Sequence, residues 1–199
     1  MPNQIFRKAS SPTHPPSRKY HHLTPEQIAS WMQHGFIHLK SCFSRAAADH
    51  MTSDLWSRLS FDPDDMSTWR EPVTYLSSRD SNTVRPSKFA PKAWAAICEL
   101  CGGEDRIDVD ACDWWDDAFI VNLGTSQDEG KETNIIDEVD GWHVDGDFFV
   151  HFLDSPEHAL LVVPCWGDVI EGAGGTVVCS DSIGKVAKLL VSGDLAPLF

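Results

Sequence analysis

His143-Val-Asp145 constrains this chain more than any other stretch. It follows Trp142 and runs into the aromatic and β-branched segment Phe148-Phe-Val-His-Phe-Leu153. On an extended strand, residues i and i+2 project from the same face. His143 and Asp145 would then point the same way, their Cα atoms roughly 6.5–7 Å apart. An imidazole nitrogen and a carboxylate oxygen converging from that spacing can take two adjacent positions on an octahedral metal. The structural alternative is a surface pair of a strand histidine and an acid. The surroundings favour the metal. Residues 159–166 and 174–179 read as two further buried strands, so the motif sits at the head of a β-rich half.

The rest of the chain sets the frame. At 199 residues it is one domain with enough length for a real core. Hydrophobic residues at 42% and eight tryptophans argue for a folded globule. The net charge is −14. The first twenty residues carry Arg7, Lys8, Arg18 and Lys19 and no acid, which leaves about −18 on the body. So acidic a body repels phosphate, which excludes a nucleic-acid partner. No run has the apolar length of a membrane span, and the N-terminus lacks the apolar core of a signal peptide. The expectation is a soluble cytoplasmic protein.

Residues 1–20, basic and proline-rich, read as a disordered tail, and residues 21–199 as the folded domain. Thr24-Pro-Glu-Gln27 opens a helix with a capping box and proline in the first turn. Ile28, Trp31 and Met32 supply its apolar stripe, and Gly35 stops it. Residues 36–40 read as a short strand with His38 outward. Ser44 caps a second helix reaching about residue 59. Residues 61–90 read as irregular, and 91–101 as a helix ended by Gly102-Gly103. Residues 119–123 read as a strand, and 127–140 as an acidic loop. Helices first and strands afterwards give an α+β class, with N-terminal helices packed on a jelly-roll barrel. Cys98-Glu-Leu-Cys101 has the spacing of a zinc knuckle or a redox pair. No second such pair completes a zinc site, so both thiols are read as sharing the buried face of their helix. Gly172-Ala-Gly-Gly175 lacks the following Lys-Ser/Thr of a phosphate loop and reads as a tight turn.

The stretches Leu23-Thr-Pro-Glu-Gln-Ile28, His34-Gly-Phe-Ile-His-Leu-Lys40 and Cys42-Phe-Ser44 resemble the opening of phytanoyl-CoA dioxygenase-like proteins. Trp142-His-Val-Asp145 resembles their metal motif. The likeness is closest to fungal members, many of which act on secondary metabolites, and covers roughly residues 20–190. It implies a double-stranded β-helix, Fe(II), 2-oxoglutarate and the oxidation of a small organic molecule. By position, His143 and Asp145 match two of the three protein ligands of the two-histidine, one-carboxylate set. Trp166 resembles a family tryptophan beside 2-oxoglutarate. Asn122, on the strand before the motif, is placed facing the same cavity.

The sequence also departs from that family. The family's second histidine lies on a late strand, followed by an arginine that clamps the 2-oxoglutarate carboxylate. Here the sequence ends 54 residues after Asp145, and no arginine follows Arg106. The later histidines are His151 and His158. His151 lies roughly 26 Å along a straight strand from His143, and His158 lies in a Pro-Glu-His turn. Asp147 continues the motif's face and reads as a rim acid. Lys185 and Lys188 read as exposed helix positions. The expectation is a β-helix incomplete at its C-terminus. Leu161, Val163, Val177 and Val178 would then lose packing partners. Three readings stay open: an active dioxygenase, a non-catalytic dioxygenase-like domain, and one half of an enzyme completed by a partner chain.

Overall fold

The computed structural model describes residues 22–124, 141–145, 150, 152, 155, 160–169 and 174–192. The described residues mix helices with one two-stranded antiparallel sheet. The expected tail at 1–20, the loop at 127–140, and Asp147, His151 and His158 lie outside them.

Helix α1, Pro25–His34, begins as its sequence dictates. The Thr24 hydroxyl accepts the Gln27 N–H at 3.2 Å, and the Gln27 side chain accepts the Thr24 N–H at 2.9 Å. Two of the donors that a helix start leaves unpaired are thereby satisfied. Gly35 ends α1 in the left-handed region, φ 74°. One expectation fails here: Met32 is 74% exposed and lies off the packed stripe.

The expected helix from Ser44 is two helices, α2 (Arg45–Met51) and α3 (Leu55–Leu59). Ser44 caps the first through the Ala47 N–H. Thr52 stops it, with both its N–H and its hydroxyl donated to the Ala48 carbonyl, so the hydroxyl competes for the helix's own acceptor. Residues 36–40 form no strand, though His38 is outward as expected.

The stretch expected to be irregular holds strand β1 (Val73–Leu76) and a short helix α4 (Pro86–Phe89). Strand β1 pairs antiparallel with β2 (Phe119–Asn122), in the register Val73 to Asn122 and Leu76 to Phe119. The alternation in β2 is clean: Phe119 and Val121 are buried, Ile120 and Asn122 exposed. The buried pair packs on Leu59, with Leu55, Trp56, Phe61, Leu76 and Trp166 around them, and this is the core.

Helix α5, Pro91–Cys101, matches its expected bounds and ends on left-handed Gly102, φ 93°. It buries Ala93, Trp94 and Ala96. Near its end, Glu99 Oε2 accepts the N–H groups of His22 and Leu23 at 2.8 and 3.2 Å, which anchors the entry to α1. Helix α6 is Val109–Cys112, and α7 is Ile183–Ser192, with Lys185 and Lys188 exposed on it.

The described residues at 160–166 and 174–179 carry no strand ladder. Leu161, Val163 and Val178 are each more than half exposed, and Val177 is exposed too. Among the described residues no helix is long and apolar enough to cross a membrane.

Candidate metal centre

His143 and Asp145 converge although neither lies in a strand. His143 Nε2 stands 3.3 Å from Asp145 Oδ1. Two ligands bound cis at about 2.1 Å lie about 3.0 Å apart, so the pair is within a small side-chain adjustment of chelating geometry. Gly141 sets the ring. Its φ of 78° is open to glycine at little cost, and its carbonyl lies 2.6 Å from His143 Nδ1. A carbonyl oxygen can only accept, so Nδ1 carries the hydrogen. That leaves Nε2 facing Asp145, as the donor of a His–Asp ion pair when protonated and, when deprotonated, as the nitrogen through which a histidine oriented at Nδ1 binds metal. Both side chains are about half exposed, at 58% and 48%. A divalent ion there would therefore compete with water and with a proton on Nε2.

Among the described residues no group of three or more His, Cys, Asp or Glu is placed to hold a metal ion. The pair supplies two ligands. The other expected site residues have other neighbours. Trp166 is part of an aromatic cluster, 4.9 Å from Phe43, 5.8 Å from Phe89 and 6.1 Å from Trp115 between ring centroids. It also lines a cleft of about 210 Å³ with Trp114, Trp115, Asp116, Ala118 and Pro164, and neither His143 nor Asp145 borders that cleft. Asn122 sits exposed at the end of β2 beside Gly174, where a Cβ would come within 3.5 Å of its Oδ1.

Two buried acids were not anticipated. Asp117 accepts hydrogen bonds from Ser78 Oγ, Arg79 N and Ser81 Oγ at 2.6–2.9 Å, and lies 3.6 Å from Arg58 Nη1. Burial pushes its carboxyl up, but those three donors outweigh burial and hold it well below the usual carboxylate range. Asp113 accepts the N–H and hydroxyl of Ser87 at 2.8 and 2.7 Å, capping α4 from a distance in sequence. The signal for both was Asp113-Trp-Trp-Asp-Asp117, acids set among large apolar side chains, with serine-rich segments earlier in the chain to satisfy them. Cys98 and Cys101 are both partly buried and free. Burial raises both thiols above their ordinary range, as expected of cysteines on a packed helix face.

Comparison with protein-family models, with curated proteins and with solved structures finds no match to this chain.

Proposed function

We propose that this chain is a dioxygenase-like domain that holds Fe(II) through His143 Nε2 and Asp145 Oδ1. The observation that supports this is the 3.3 Å approach of those two atoms, with Nδ1 of the ring held by the Gly141 carbonyl. An imidazole and a carboxylate suit a first-row divalent ion, and two protein ligands leave most of its positions open. Bound there with a 2-oxo acid, Fe(II) would supply the oxygen chemistry that oxidises a small organic molecule. The contribution of the chain is narrower. Gly141 orients the imidazole, Asp145 supplies the neutralising charge, and half-exposed Trp142 stands next to the pair as an apolar flank.

The residues present fit the metal better than the cosubstrate. A 2-oxoglutarate carboxylate calls for a bidentate arginine, and no arginine follows Arg106. Of the two late lysines, Lys185 is engaged by Asp181 at 3.2 Å. A clamp and a third metal ligand would come from outside the described residues, or from a second chain. Leu161, Val163, Val177 and Val178 are exposed, as positions that a completed β-helix would cover. The chain by itself therefore binds metal weakly and turns over little 2-oxoglutarate. Succinate release with Fe(II), ascorbate and excess 2-oxoglutarate tests this. Robust turnover lost in His143→Ala would mean that this chain completes its own site.

A further inference from the structure

We propose that the cleft walled by Trp114, Trp115 and Trp166 binds a small organic cation of the alkylammonium class. Indoles offer the strongest cation–π face of any side chain, and several of them around one space form the usual cage for a quaternary ammonium. Here Trp115 and Trp166 meet edge to face, at 83° and 6.1 Å between centroids, and both line the cleft. Trp114 gives a third wall, and Pro164 and Ala118 complete the lining. Among the described residues of that lining the charged one is Asp116, an acid that attracts a cation and repels a carboxylate ligand. The net charge of −14 adds to the attraction.

The walls are held before any ligand arrives. The Trp115 backbone exchanges two hydrogen bonds with Val84, at 2.8 and 2.9 Å. Trp114 Nε1 donates to the Asp110 carbonyl at 3.1 Å. Trp166 is packed by Phe43 and Phe89. Asp116 Oδ1 accepts the Ala118 N–H at 3.0 Å, which sets the carboxylate. The structure already contains one cation on this surface: the Arg85 guanidinium lies 4.7 Å from the Trp114 ring centroid. Arg85 is not part of the cleft lining, and Asp113 Oδ2, 3.8 Å away, offsets its charge. Because neither His143 nor Asp145 lines this cleft, the inference does not depend on the metal.

The test is titration of the full chain with choline, followed by the indole N–H resonances, assigned through single Trp→Phe variants. The expected result is saturable movement of the Trp114, Trp115 and Trp166 signals. The neutral isostere 3,3-dimethylbutan-1-ol should bind about tenfold more weakly. Asp116 and Trp114 are exposed, so Asp116→Asn and Trp114→Leu should stay folded and each weaken choline several-fold. Choline that moves none of the three signals, an isostere that binds equally well, or Asp116→Asn with unchanged affinity would each overturn the proposal.

Discussion

Arg58 reaches Asp117 twice, donating to its backbone carbonyl at 2.8 Å and lying 3.6 Å from its carboxylate, and both side chains are enclosed. The same guanidinium donates to the Ser77 carbonyl at 2.6 Å and lies over the Phe119 ring, 5.3 Å from its centroid. One side chain on α3 thereby ties the segment after β1 to the segment before β2, at the one end of the sheet where Leu76 pairs with Phe119. Breaking a buried pair of this kind costs about 3–5 kcal/mol, because the remaining charge is left uncompensated. Asp117→Asn should lose stability of that order in urea unfolding at neutral pH, and Arg58→Met at least as much.

Asp117 also sets an acid dependence. Its carboxyl is held below the ordinary value in the folded protein, so its contribution is complete above the unfolded value, about 3.9. It is lost as pH falls through the lower folded value. The stability gap between the native chain and Asp117→Asn should be constant near neutrality and narrow below about pH 4. A gap that widens with acid would mean the carboxylate is not the stabilised form.

Gly35 carries two constraints at once. Its φ is 74°, and a Cβ built there would stand 2.2 Å from Ile183 Cδ1 on α7. Gly35→Ala should therefore cost about 1–2 kcal/mol from backbone handedness, and little more from the contact, because Ile183 Cδ1 is the free end of a flexible, half-exposed side chain. In an Ile183→Ala background the clash disappears and only the backbone part should remain. A similar penalty in both backgrounds, measured by thermal unfolding, is the expected result, and no penalty in either would show that the left-handed backbone at Gly35 is not required.

Helices α1 and α5 were legible because their signals are local. Thr24, Pro25, Gln27 and Gly35 specify one end and the other of α1 without reference to anything distant, and Gly102 does the same for α5. The break between α2 and α3 was less visible, since it rests on Thr52 bonding backward to Ala48. Strand β1 was missed because Val73-Thr-Tyr-Leu76 becomes a strand through a partner far along the chain. The convergence of His143 and Asp145 was readable from their spacing, but the reason differs. A left-handed Gly141 and its carbonyl place the ring, where a regular strand was expected. The buried acids escaped notice because their donors, Ser78, Ser81 and Ser87, lie tens of residues before them.

The cysteine pair on α5 should be inert. Burial raises both thiols, which keeps them protonated at neutral pH. Purified protein should contain no stoichiometric zinc, and alkylation of Cys98 and Cys101 should be slower than that of exposed Cys112 and Cys165. One equivalent of zinc that leaves on Cys98→Ser would reverse that assignment.

The claim at the centre of this account is that His143 and Asp145 share one metal ion. Anaerobic calorimetric titration with Fe(II) at neutral pH, in parallel on the native chain, His143→Ala and Asp145→Asn, measures it most directly. The account predicts one weak site in the native chain, an affinity at least tenfold lower in either variant, since even partners behind a ligand are worth 10–100-fold, and weakening in acid as protons compete for the imidazole. Equal Fe(II) affinity in all three proteins, or no binding by the native chain, would contradict it.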